Sequence, residues 1–370
     1  MARNSVSLQD VAREAGVSPQ TVSRVANGSD AVRPATKLKV EAAMEHLGYR
    51  PNYAARALKS GHFNNVGVLL SHMSAYGNSR ILEGITTAAA NSGYSITIRP
   101  LDNLQDQSLA GALKLVEGLP LDGAIVIMER DFTDFNQFKP SDNLPVVLIC
   151  EEPANHCPTI DSDSYGCATA AVDFFLSKGH KTVYHIAGPT VSRAAQSRIR
   201  GWRDALAKVG IPTPPMYYGD WEADSGYQAG LALAHEKDCT AIFAGNDQMA
   251  YGAMLGLRTA GKRVPEDVSI IGVDDSLRGV VPRLELTTIR LKLRTVGKEA
   301  FSMIEQQCNG KKVPSGIKKL ITPRIHRPRI RGETRLIAIS RDFNQRNQSN
   351  QPIRKRRLSS VGEPRGRDAF

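Results

Sequence analysis

Ser18-Pro19-Gln20-Thr21-Val22-Ser23-Arg24-Val25-Ala26-Asn27-Gly28 reads as a short helix that carries its own start and stop. Ser18 is a good N-cap, because its hydroxyl accepts from an unpaired amide of the first turn. Pro19 suits the first helical position, where a missing N–H is no loss, and Gly28 suits a left-handed stop. Val22, Val25 and Ala26 stand three and four apart and share one face. Gln20, Thr21, Ser23, Arg24 and Asn27 are left outside. A helix this short, burying valines and showing amides, hydroxyls and a guanidinium, is suited to touching DNA.

The flanking residues complete a unit around it. Ser7 predicts a cap for a helix running to about Ala15, with Asp10 as its capping-box partner. Leu8, Val11, Ala12 and Ala15 form that helix's apolar stripe, and Gly16 supplies the turn. Two helices joined by a short glycine-containing turn describe a helix-turn-helix, whose second helix enters the major groove. A third helix is expected from about Ala35, with Pro34 near its start. Val40, Ala43, Met44 and Leu47 give it one buried face, and Gly48 ends it. Arg50-Pro51-Asn52 then disfavours further helix before the proline. Asn52 is placed to cap a new short helix over Tyr53 to Leu58, too short to be stable alone.

The run from Ser7 to Gly61, with its VSPQTVSRV core and YRPNYAARAL hinge, resembles the headpiece and hinge of the lactose-repressor (LacI) family of bacterial transcription regulators. Several roles follow from that resemblance alone. Pro19, Gln20 and Arg24 occupy the family's half-site reading positions: Gln suits an adenine edge, Arg a guanine edge, and Pro19 offers only apolar contact. Pro19 departs from the hydrogen-bonding side chain common at its position. Ser18, Thr21, Ser23 and Asn27 are expected at or near phosphate, setting register. Tyr49 matches a family backbone contact and serves equally as a core aromatic. Asn52, Ala55 and Leu58 belong to a hinge helix that folds when two subunits pair. Leu58 is then the wedge in the minor groove of a CpG-centred inverted repeat, with Ala55 beside it.

Charge divides the chain. The net charge is +11, with +4 on residues 1–61, −2 on 62–322 and +9 on 323–370. A basic headpiece fits phosphate contact, whereas the nearly neutral middle has a different task. No apolar run approaches the length of about 18 residues that spans a membrane. The start, Met-Ala-Arg-Asn-Ser, lacks an apolar segment behind it, so a cytoplasmic protein is expected. Cys150, Cys157, Cys167, Cys239 and Cys308 form no Cys-x-x-Cys pair or metal spacing, and neither metal nor cofactor is expected.

From Val66 onward short apolar runs alternate with helical stretches. Strands are predicted at Asn65–Leu70, Tyr94–Ile98, Gly123–Met128, Pro145–Ile149, Thr182–Ala187, Ala241–Ala244 and Val268–Val273. This rhythm argues for parallel doubly wound sheets, and its length suits two lobes. The resemblance implies a two-lobed, periplasmic-binding-protein-like α/β domain over 62–336. Chain crossings are expected near Asp161–Asp163, Thr288–Leu291 and Ile321–Pro323. Residues 337–370 read as a basic, disordered tail.

Polar residues gather at predicted strand ends: Gly188-Pro189 leading to Arg198, Gly219-Asp220-Trp221, Asn246-Asp247 and Asp274-Asp275. Carboxylates, an amide, a guanidinium and an indole are what a sugar site uses. By motif, Arg198, Trp221, Asn246 and Asp274 match the family's effector positions. Asp161 is a further candidate, and Tyr76, in the Ser71–Asn78 loop, is expected to contribute from the first lobe. Each also has a plain structural reading: Trp221 as a packing aromatic, Asn246 as a helix N-cap, Asp274 as a turn cap, Arg198 as solvated surface.

The expected protein is a homodimeric repressor on double-stranded operator DNA, controlled by a small molecule, with a sugar favoured. A purine, a phosphorylated metabolite or a phosphoprotein co-regulator is the alternative, and a solute-binding protein a more distant one. With no phosphate loop, nucleophile elbow or metal cluster, an enzyme is not expected.

Overall fold

The computed structural model describes residues 6–26, 29, 31–49, 61–101, 106–282, 284–316, 318–322 and 324–326. Asn27, the hinge residues Asn52, Ala55 and Leu58, and the tail 337–370 lie outside them.

Three helices make the headpiece: α1 (Leu8–Ala15), α2 (Pro19–Ala26) and α3 (Pro34–Leu47). The predicted capping box is formed, with Asp10 N donating to Ser7 Oγ (3.3 Å) and Ser7 N donating to Asp10 Oδ2 (2.9 Å). Gly16 and Gly48 close α1 and α3 at φ of 64° and 65°, the left-handed region where a Cβ is costly. Val11, Ala12, Val22, Val25, Val40 and Ala43 form a small apolar core. Met44 and Leu47 pack against its rim, as the third helix's spacing predicts.

Two six-stranded sheets follow. The first contains β1 (Asn65–Leu70), β2 (Ser95–Pro100), β3 (Gly123–Ile127), β4 (Val146–Ile149), β5 (Thr159–Ser162) and β11 (Lys318–Ile321), with helices α4 (Tyr76–Asn91), α5 (Leu109–Lys114) and α10 (Leu293–Cys308). Its order is β2-β1-β3-β4-β5-β11, parallel throughout. The second contains β6 (Tyr184–Ala187), β7 (Met216–Tyr218), β8 (Ala241–Ala244), β9 (Ser269–Val273), β10 (Thr287–Arg290) and β12 (Arg324–His326). Helices α6 (Ser164–Ser177), α7 (Arg193–Ala207), α8 (Ala223–Leu233) and α9 (Asp247–Thr259) accompany it. Its order repeats the pattern, β7-β6-β8-β9-β10-β12, with only β12 antiparallel.

The chain passes between sheets after β5, after β10 and between β11 and β12, at the three places the sequence suggests. All seven predicted strands form, with ends moved by up to two residues. Of the other five, β7 is the strand expected to end before Gly219, whereas β5, β10, β11 and β12 were not predicted; all five are three or four residues long. In each sheet the order reverses beside the first strand, between β1 and β3 and between β6 and β8. Open α/β sheets place ligands beyond the carboxyl ends of strands at that switch point. Among the described residues, no helix is long and apolar enough to cross a membrane.

Candidate DNA-reading helix and effector cleft

Helix α2 holds its residues as its pattern requires. Val22 and Val25 are buried, while Ser18, Pro19, Gln20 and Arg24 are exposed and Thr21 and Ser23 half-buried. Ser18 Oγ accepts from Thr21 N at 3.2 Å and meets Thr21 Oγ1 at 2.9 Å, so these two hydroxyls fix the start of the helix. Gln20 and Arg24, four apart, therefore project together from the side opposite the valines. Tyr49 is different: it is half-buried against the headpiece core, and its backbone N–H closes the end of α3 on Met44 O (2.8 Å).

In the second lobe, four predicted residues converge at the switch point of the sheet. Gly188 follows β6, and Gly245-Asn246 follow β8. Trp221 lies against both glycines: a Cβ on Gly188 would overlap its indole, and one on Gly245 would come within 3.1 Å of Cζ3. Asn246 holds the tryptophan in place, donating from Nδ2 to Trp221 O (2.7 Å) while its Oδ1 caps α9 through Met249 N (2.9 Å). Trp221 takes φ of 78° there, a left-handed conformation that a tryptophan adopts only when its surroundings demand it. The capping and packing roles are both real and both serve to build this corner.

Arg198 reaches the same corner from α7. It is buried to 5 % exposure, donates from Nη1 to Gly245 O (2.8 Å), and lies over the Trp221 ring at 5.5 Å. Its Nε is buried without a hydrogen-bond partner. A buried guanidinium with a spare donor is costly unless something supplies an acceptor. Asp161, from β5 of the first lobe, and Asp274, after β9, both lie close enough for Arg198 to favour their charged forms. Burial acts against that attraction. It pushes Asp161 up to about 7, helped by Glu151, and it raises Asp274 above the ordinary carboxylate range. Asp274 and Asp275 adopt φ of 99° and 57°, and Arg290 pins Asp275 through Nε at 2.9 Å.

Asp247, named in the sequence only as the neighbour of Asn246, turns out to anchor this loop. It accepts from Thr288 Oγ1 (2.6 Å) and Ser276 N (2.8 Å), and burial pushes its pKa up to about 7. Tyr76, at the start of α4 in the first lobe, has its ring beneath the Arg80 guanidinium at 5.1 Å. The first lobe's own switch point instead offers a small pocket lined by Ser71, Leu101, Gln107, Ile127, Glu129 and Phe132 among others. Ser71 opens the Ser71–Asn78 loop expected to contribute from the first lobe, and the other lining residues carry no such expectation. Ser71 and Glu129, at the ends of β1 and β3, carry the strand-end signal that found the second-lobe residues.

Comparison with known proteins follows the same division. Residues 7–52 match the model for bacterial regulatory proteins of the lacI family, and residues 172–327 match a periplasmic binding protein-like domain. Catabolite control protein A of Priestia megaterium is 34 % identical over 323 residues, covering 85 % of this chain and 96 % of the relative. The HTH-type transcriptional repressor CytR of Escherichia coli (strain K12) is 32 % identical over 338 residues, covering 90 % and 97 %. Among solved structures, the lac repressor dimer bound to operator and the anti-inducer ONPF aligns with a TM-score of 0.73 at 29 % identity, covering 87 % of this chain and 98 % of that one. A CelR–cellobiose complex aligns with a TM-score of 0.62 at 28 % identity, covering 87 % and 98 %.

Proposed function

Because this chain belongs to the lacI family of bacterial regulatory proteins, we propose that a sugar held at the Arg198–Trp221 corner governs how its headpiece binds an operator. The chain is a DNA-binding transcriptional regulator and not an enzyme. The effector and the residues that hold it are the proposal.

The observation that carries it is the buried Arg198, with a spare Nε donor, an indole beside it and the carboxyls of Asp161 and Asp274 around it. A sugar hydroxyl both donates and accepts, so one ring satisfies the guanidinium and the carboxylates together. The indole then covers the apolar face of the ring. A phosphorylated metabolite would bring its anion beside Asp161, Asp274 and Glu151, where like charges repel. The CelR neighbour was solved with cellobiose, which supports the carbohydrate reading.

On the DNA side, Gln20 and Arg24 read each half of an inverted repeat while Ser18, Thr21 and Ser23 contact or position phosphate. Two subunits supply the two headpieces, as in the lac repressor dimer on its operator. The hinge residues Asn52, Ala55 and Leu58, with Leu58 wedged at a central CpG step, complete this reading. Effector changes operator affinity only as far as it binds the two lobe arrangements unequally, typically by about 1–3 kcal/mol. Isothermal titration against a panel of neutral sugars, with Trp221→Ala as control, tests the proposal. Heat from at least one sugar, lost in the variant, is the expected result; heat from a nucleobase and from no sugar rejects it.

A further inference from the structure

We propose that Arg193 is a positioning residue that clasps the two lobes together across the cleft before any effector binds. Arg193 opens α7 in the second lobe, yet every partner of its side chain belongs to the first. Its guanidinium pairs with Asp131 through Nη1 and with Glu152 Oε2 through Nη2 at 2.5 Å. It also lies over the Phe135 ring at 5.2 Å. Its backbone N–H donates to Glu129 O at 2.9 Å. Arg200, two turns along the same helix, adds a longer approach to Glu152 at 3.7 Å.

Exposure makes the arrangement directional. The Arg193 side chain is only 12 % exposed, whereas Asp131 and Glu152 keep 67 % and 47 %. The arginine has given up most of its water to the other lobe, and it regains that water only when the lobes part. Its planar fork is suited to holding two carboxylates at once. The three chain crossings, after β5, after β10 and between β11 and β12, are covalent and permit hinge motion. Arg193 touches none of them. It grips the segments that follow β3 and β4, and Glu129, one of its partners, also lines the first-lobe pocket. A contact there sets the angle between lobes rather than joining them.

A clasp that populates the closed arrangement without ligand raises apparent effector affinity, since affinity scales with the fraction already competent. The inference rests on the proposed function only in taking the space between lobes as the effector site, and its test needs neither effector nor DNA. Lys139→Cys in the first lobe and Asp224→Cys in the second, both exposed, are spin-labelled in the full chain. All five native cysteines are buried, so labelling is selective. Pulsed electron–electron resonance then gives the interlobe distance in the ligand-free protein.

Arg193→Ala is expected to shift the distribution to longer, broader separations, raising the open-to-closed ratio roughly five- to tenfold, between the strengths of exposed and desolvated charge pairs. The pair Asp131→Asn with Glu152→Gln, which alters only exposed carboxylates and spares the packing, is expected to do the same. Arg263→Ala, which breaks an ion pair with Asp267 inside one lobe, is expected to leave the distribution alone. Unchanged distances in either clasp variant, or an equal shift in the Arg263 control, overturn the clasp. A clasp that fails this way leaves the sugar titration untouched, and a failed titration leaves the distances standing.

Discussion

The indole of Trp221 occupies the space that any side chain at Gly188 would need. Gly245 leaves it little more room, with a Cβ there meeting Trp221 Cζ3 at 3.1 Å. Gly188→Ala must therefore push the indole off its seat over Arg198. Overpacking of this kind costs about 1–3 kcal/mol. In a Trp221→Ala background the same substitution meets open space and should cost far less. The expected coupling in a double-mutant cycle, read from denaturant unfolding, is about 1 kcal/mol or more. Equal costs in both backgrounds would mean that the tryptophan does not rest on Gly188 in solution.

Arg24 and Gln20 are exposed on the helix whose other face buries Val22 and Val25. Arg24→Ala should weaken binding to an operator selected from random sequence by about 1–3 kcal/mol, the value of a bidentate base contact. Binding to unrelated duplex should fall much less, because that affinity comes from phosphate contact. Competition gel shifts with both duplexes measure the ratio. A uniform loss on both would place Arg24 on phosphate instead.

The headpiece was legible because its instructions are local: a capping box at Ser7 and Asp10, glycines at positions 16 and 48, valines three apart. The buried central strands were legible because each is a continuous apolar run. Strand β10 was not, since Thr287-Thr288-Ile289-Arg290 carries one apolar residue among polar ones and its antiparallel partner, β12, arrives only at Arg324–His326. The candidate corner was legible as a set of residue types at strand ends. Its geometry was not, because a tryptophan at positive φ contradicts local preference and is imposed by Asn246, Gly188 and Gly245 from distant segments. Spacing also failed to separate Arg193 from Arg198. Both belong to one basic helix, yet one is buried under Trp221 and the other is handed to the opposite lobe.

Asp161 should make the protein less stable as pH rises. Burial first, and then Glu151, lifts its folded pKa to about 7 from an ordinary 3.8. With the folded value above the unfolded one, its contribution is fully present below about 3.8 and is lost as pH climbs through about 7. Asp161→Asn removes the buried charge while keeping an acceptor for Ser162 N, now 2.7 Å from Oδ1. The variant should therefore gain on the order of 2 kcal/mol more, relative to the parent, at pH 8 than at pH 5. His185, held neutral by burial at about 4, has the opposite dependence, but it is common to both proteins and cancels in the difference. Urea unfolding of the two proteins at both pH values checks this. A gain that does not change with pH would put Asp161 in contact with water.

Helix glycines give a last test, because position alone should reverse the sign of one substitution. Gly252 in α9 faces the carbonyl oxygen of Ala223 in α8, and Gly226 in α8 faces that of Met249 in α9; a Cβ at either would overlap backbone. Gly230 repeats the approach, with a Cβ 2.5 Å from Ala253 O. These two helices are held as close as their backbones allow. Gly252→Ala must force them apart, which should outweigh the gain of about 1 kcal/mol in helix propensity and leave a net loss of about 1–3 kcal/mol. Gly77, in the first turn of α4, has nothing within 4 Å of its would-be Cβ. Gly77→Ala should keep the propensity gain, up to about 1 kcal/mol near a helix end. Thermal unfolding is expected to move the two midpoints in opposite directions. A raised midpoint in Gly252→Ala would show that α8 and α9 pack more loosely than their backbone approach implies.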